Sequence, residues 1–373
     1  MSDAEATRGP APRANPDLLG QEEAEAALLE AFRRNRLAHA WIFCGPRGIG
    51  KATLAYRFAR FMLAQGGRAE AGGLFGPAAP PESLALSPDH PVFRRVASGG
   101  HADLLTLERR FDEERRRVRS EIGVEEAREV ADFLHLTPAE GGWRIVVIDG
   151  AEEMNRNAAN AVLKIVEEPP QSALILLVSH APGRLLATIR SRCRRLALKP
   201  LDAGALARIL GERLPELAPG DLPLLTHLAE GSAGRALELA EDGGLALFRE
   251  MMILLATLPR LDPVALHRLA ERTLGGQGET AYRTLSELLL WWLARLIRAV
   301  STGEMPAEVV AGEAAVYGRL MAQPHLDRWL EVWEKTGHLL SRAESVNLER
   351  KQVMLNAFLA LEAAAAAPER AGG

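Results

Sequence analysis

Apolar residues in the first two hundred positions fall into two alternating patterns. Short uninterrupted runs occur at residues 39–44 (His-Ala-Trp-Ile-Phe-Cys), 144–148 (Arg-Ile-Val-Val-Ile) and 174–178 (Leu-Ile-Leu-Leu-Val). Runs without a polar face are the pattern of strands buried on both sides of a parallel sheet. Between and around them, residues 21–33, 52–64, 125–134 and 155–166 carry apolar positions at the 3.6-residue period of amphipathic helices. This alternation predicts an α/β core built on a doubly wound parallel sheet, spanning 17–200.

At Lys199-Pro200 the character changes, and every later periodic segment is helical: 205–214, 222–229, 235–240 and longer stripes as far as 362. Asp242-Gly243-Gly244 closes the short helices and marks a boundary. A small helical lid over 201–243 and an all-α domain over 244–362 are therefore expected. Trp291, Trp292, Trp329 and Trp333 are expected as core aromatics of that last bundle. Three stretches lack periodicity. Residues 1–16 read as a disordered arm, the Gly/Ala/Pro-rich 65–100 as a loop-rich insertion, and 363–373 as a frayed tail.

Composition narrows the class. At 373 residues the chain exceeds what one hydrophobic core usually serves, and 47% hydrophobic with 25% charged residues is ordinary for a globular protein. A net charge of −4 provides no global field for nucleic acid, so contact with DNA is expected only through a local patch or through partners. The mixed-charge run at 108–119, with Arg115-Arg116-Arg117, reads as a solvated face. The two cysteines, Cys44 and Cys193, exclude a disulfide framework and a four-cysteine zinc module, and suit a reducing cytosol. The arm has no signal-peptide core, and no stretch approaches the roughly 18 apolar residues of a membrane span. A soluble, cytoplasmic protein is expected.

Gly45-Pro-Arg-Gly48-Ile-Gly50-Lys51 sits between a predicted strand and a predicted helix and matches seven positions of the phosphate-loop pattern. Its glycines, Gly45, Gly48 and Gly50, let backbone N–H groups turn toward a phosphate at a helix N-terminus, and Lys51 reaches the outer phosphates. The eighth position needs a hydroxyl to hold Mg²⁺ and is Ala52. Thr53, one residue on, is rotated about 100° away. Asp149 ends the second strand where a metal-shell carboxylate belongs, but the next position, which polarises the attacking water in active ATPases, is Gly150. Glu152 and Glu153 follow and read most simply as acidic residues starting a helix. The expectation is ATP held without hydrolysis.

The stretch Asn157-Ala-Ala-Asn160-Ala-Val-Leu-Lys164-Ile-Val-Glu167-Glu168-Pro169-Pro170 resembles the signature of the bacterial clamp-loader AAA+ family, as do Ser191-Arg192-Cys193, His39-Ala40 and Asn347-Leu-Glu-Arg350-Lys351-Gln352. Together they are most similar to its delta prime type, over about residues 18–360. The resemblance implies an AAA+ core, a helical lid and a helical collar in a hetero-pentamer with the ATPase subunits gamma/tau and the delta subunit. Sliding clamp and primed DNA would be met through that complex. It also implies a stator role in which Arg192 is an arginine finger for a neighbour's ATP. From composition alone, Arg190, Arg192, Arg194 and Arg195 form only a basic surface strip. Ser179 falls at the family's polar sensor position, or is an ordinary strand-end hydroxyl. Three departures stand out. The family's zinc-binding cysteines are absent, so no zinc is expected. Gly234, in Gly231-Ser-Ala-Gly-Arg235, replaces the arginine of an active lid. Ala52 and Gly150 replace the hydroxyl and the glutamate. The competing reading is an autonomous AAA+ ATPase or remodelling factor.

Overall fold

The computed structural model describes residues 10–65, 80–112, 117–276, 278–322, 325–346 and 349–366. The expected tail beyond 366, most of the arm, and Arg115, Arg116, Asn347 and Leu348 of the motifs above lie outside the described residues. The chain divides into two compact units, Met1–Pro215 with Glu230–Arg235, and Glu216–Ala229 with Ala236–Gly373.

In the first unit the strands are β1 (Ala40–Cys44), β2 (Leu104–Leu107), β3 (Phe111–Asp112), β4 (Arg117–Val118), β5 (Arg144–Asp149), β6 (Ala173–Ser179) and β7 (Arg194–Ala197). Five of them form a parallel sheet in the order β2-β5-β6-β1-β7, while β3 and β4 make a small antiparallel ribbon. Alternate side chains leave opposite faces of a strand. Trp41, Phe43, Ile145, Val147, Leu174 and Leu176 therefore join one buried cluster, and Ile42, Cys44, Val146, Ile148, Ile175 and Leu177 the other.

Helices α1 (Glu22–Arg33) and α2 (Lys51–Gln65) supply the first cluster; α4 (Val124–His135) and α5 (Arg156–Glu167) supply the second. Asn155 caps α5 by accepting a hydrogen bond from the Ala158 N–H at 2.9 Å. The loop-rich reading of 65–100 misses α3 (Pro91–Ala97), which follows the His90 cap and buries Val92, Phe93 and Val96. The remaining helices of this unit are α6 (Ala187–Arg192) and α7 (Ala203–Arg213).

The second unit is helical among its described residues. Helix α8 is Asp221–Ala229, and α9 (Ala233–Glu241) begins in the first unit and continues here. Helices α10 (Gly244–Leu255), α11 (Pro263–Glu271), α12 (Gly278–Thr302), α13 (Glu313–Met321), α14 (Leu326–Val346) and α15 (Arg350–Ala366) complete it. Trp291, Trp292 and Trp329 are buried as expected, but Trp333 is 40% exposed. The buried stripe of α14 runs Trp329, Val332, Thr336, Leu340, Ala343, and Trp333 stands at its margin, about 60° from its centre line.

The bundle core holds one ion pair. Arg295 donates to Glu313 Oε1 at 2.9 Å and to the Ala307 carbonyl at 2.6 Å, with its guanidinium 4.6 Å from the Trp291 ring. Glu313 also accepts from the Val309 N–H at 2.8 Å. Burial pushes the Glu313 carboxyl up, with the Val309 N–H and Arg295 opposing. No helix among the described residues is long and apolar enough to cross a membrane.

Removing one partner of a buried pair strands the other charge, at a cost of about 3–5 kcal/mol. Arg295→Met is expected to lower unfolding free energy by about that much at pH 7 in denaturant titration. Glu313 then carries a further raised folded pKa, so the deficit against the wild type shrinks as pH falls toward the ordinary glutamate range.

Candidate nucleotide site

Strand register assembles the site. Cys44 pairs with Ser179, and Asp149 with Val178, so the ends of β1, β5 and β6 lie level at the carboxyl edge of the sheet. Open α/β sheets bind ligands outside that edge. The chain leaves β1 at Cys44 and passes through 45–50 into α2, whose first residue is Lys51. Gly48 turns with φ +75°, a left-handed conformation that disfavours a side chain.

Lys51 is 3% exposed, and its ammonium donates to the Pro46 carbonyl of the loop itself. Burial pulls its pKa down to about 8, against the pull of Asp149 and Glu152. Burial, with Glu108, raises Asp149, and Lys51 opposes the shift. Ala52 packs against the cluster around Trp41 and Phe43 and offers no oxygen; Thr53 is buried. Of the Mg²⁺ donors of an active ATPase site, Asp149 is present and the loop hydroxyl is missing at Ala52; the glutamate that would polarise a water is missing at Gly150.

Gly150 adopts φ +72°, and Glu152 lies in the short 3₁₀ turn Ala151–Glu153. Glu152 and Glu153 do fall in that turn, and Glu152 in addition reaches to the segment just after β6, accepting from the N–H groups of His180 at 2.7 Å and Ala181 at 3.0 Å. Burial pushes its carboxyl up, but its own N–H, the nearby Ser179 hydroxyl and the His180 N–H outweigh this and hold it below the usual range. Burial and Lys51 hold the His180 imidazole below its usual range in turn. Glu153 pairs instead with Arg109 at 2.7 Å. Ser179 is fully buried as the last residue of β6.

The structure thus brings Gly45, Gly48, Gly50, Lys51, Asp149 and Ser179 to one edge. Arg192 is not with them. It ends α6, 42% exposed, paired with Glu167 at 2.9 Å and donating to the Thr188 carbonyl at 3.2 Å. Cys193, beside it, is buried, and its thiol is pushed up to about 12 by burial alone, so it is no nucleophile. The Arg235 guanidinium pairs with Glu230 at 3.5 Å. Glu152, His180 and Arg109 are site residues that sequence reasoning missed. Only the acidic pair Glu152-Glu153 beyond the strand carried a signal for them.

Residues 20–202 match the family model described as DNA polymerase III, delta subunit. Among curated relatives, DNA polymerase III subunit tau of Salmonella typhimurium is 28% identical over 354 residues, covering 92% of this chain and 51% of that protein. DNA polymerase III subunit delta' of Pseudomonas aeruginosa is 37% identical over 210 residues, 56% of this chain and 58% of that protein. The chain thus spans about half the length of the curated relatives it matches. A solved DNA polymerase III gamma subunit-related protein from Thermotoga maritima aligns over 90% of this chain and 98% of that one, at 21% identity and a TM-score of 0.39. By these matches the chain is similar to DNA polymerase III subunits of the tau and delta' kinds.

The depressed Lys51 has a consequence for stability. The unfolded lysine holds its proton up to about 10.4, whereas the folded one releases it from about 8, so stability from this group rises with pH across that window. Denaturant titrations of wild type and Lys51→Met from pH 7 to pH 10 are expected to show wild type gaining on the variant.

Proposed function

We propose that this chain is a clamp-loader subunit of the delta prime type: a stator that helps load the sliding clamp onto primed DNA and offers Arg192 to a neighbouring ATPase subunit. The observation that carries the reading is the pairing of a retained phosphate loop with Ala52 and Gly150 at the two positions hydrolysis depends on. A chain so built keeps the architecture of the ATPase fold without its engine. Its loop and Lys51 would hold the phosphates of ATP without turnover.

Partners in this reading are the gamma/tau ATPase subunits and the delta subunit in a hetero-pentamer, in the cytoplasm. Arg192 suits the role assigned to it. It sits at a helix end, half-exposed, and its ion pair with Glu167 is of the exposed kind that is worth little and exchanges readily for a phosphate. Glu167 then acts as the parking partner of the finger in the isolated chain.

One observation favours a second reading, a subunit of the tau kind that turns over ATP: the similarity to tau covers more of this chain than the similarity to delta'. Ala52 and Gly150 argue against it.

Reconstitution with gamma/tau and delta subunits separates these readings. The isolated chain is expected to show no steady-state ATPase activity. Arg192→Ala should leave the assembly intact on gel filtration while turnover at the neighbouring site falls toward the roughly 10³-fold or more that such an arginine supplies. Arg192→Lys should rescue little, because an ammonium lacks the planar fork. Full neighbouring turnover in Arg192→Ala would remove the finger, and ATP turnover by the isolated chain abolished in Lys51→Ala would favour the tau kind.

A further inference from the structure

The segment Glu230–Arg235 is stitched to the sheet edge at three points. The Leu201 N–H donates to the Gly231 carbonyl at 2.9 Å. The buried Ser232 hydroxyl donates to the Arg47 carbonyl at 2.8 Å and accepts from the Arg235 N–H at 3.1 Å. The Gly234 N–H donates to the Gly48 carbonyl at 2.9 Å. Two consecutive carbonyls of the phosphate loop are thereby spoken for by the same short segment.

The contact is backbone on backbone. A Cβ on Gly234 would stand 2.8 Å from the Gly48 Cα. One on Gly48 would stand 2.4 Å from the Ser232 hydroxyl and 3.0 Å from the Gly234 Cα. One on Gly231 would stand 2.6 Å from the Leu201 carbonyl. Glycine is what close backbone approach demands, so Gly48 and Gly234 serve the contact with the loop and Gly231 the one with Leu201.

We propose that Glu230–Arg235 is a protein-only clasp on the phosphate loop, holding the loop in one conformation with no nucleotide required. Gly234, at the position where an active lid carries its arginine, is then not a vacancy. It is the residue the clasp needs, and an arginine restored there would unfasten the loop and not arm the site. The clasp asks nothing of Arg192, whose role in trans stands or falls separately.

Amide hydrogen exchange on the full chain tests this, with and without the ATP analogue Mg–ATPγS. In wild type the Gly234 amide is expected to exchange slowly and at the same rate in both conditions. Ser232→Ala and Gly234→Ala should speed exchange there by at least about tenfold while the β5 amides stay protected, which reports an intact sheet. Gly234→Arg should do the same. Ser232→Ala adds no atoms and carries the test if Gly234→Ala fails to fold. The clasp is overturned by an unprotected Gly234 amide in wild type, by exchange at that amide that slows on adding the nucleotide, or by unchanged protection in the variants.

Discussion

Burial of the sheet on both faces is the constraint from which the candidate site follows. All five residues of β1 are buried, and the strand is hydrogen-bonded on both sides, to β6 and to β7. Neither a shift of register nor a tilt is open to it without moving Trp41 and Phe43 from one cluster into the other. The depth at which Cys44 hands the chain to the loop is thereby set, level with Ser179 and with the end of β5. Just past that point the Leu198 N–H donates to the Cys44 carbonyl at 2.8 Å. The loop is thus launched from a fixed platform, and its chemistry is a property of strand ends more than of loop residues.

What could be read in advance follows from the same constraint. β1, β5 and β6 are buried on both faces and wrote themselves as unbroken apolar runs, and Lys51, Asp149 and Ser179 were findable because each lies at or just beyond the end of one of them. The edge strands were not findable. β7 exposes Arg194 and Arg195, so its sequence Arg-Arg-Leu-Ala looks like surface, and β2 is only four residues long with three of them half-buried. Helix α3 hid in a stretch of low periodicity because seven residues give too few turns to establish a period. Trp333 misled because residue type was read without its angular position on α14.

The contacts between the phosphate loop and the 230–235 segment had no local signature at all. Ser232 and Arg47 are 185 positions apart, and a glycine that exists for the sake of another glycine looks like any other turn residue. The same holds for Glu152, whose partners are the backbone amides of His180 and Ala181, just past the end of β6. Charge at this edge is likewise a matter of mutual context. Lys51, Asp149 and Glu152 each bear the cost of burial; the two carboxylates offset it at Lys51 and Lys51 offsets it at Asp149, while Glu152 adds to the shift at Asp149.

Gly150 bears on whether a glutamate can stand beside Asp149 at all. On paper a glutamate there is a single substitution away. In the folded chain the position has φ +72°, where a side chain costs about 1–2 kcal/mol, and its Cβ would come within 2.5 Å of the Glu153 carboxylate that pairs with Arg109. Placing a carboxylate there would need the turn rebuilt and Glu153 displaced together, so distance in sequence understates distance in structure.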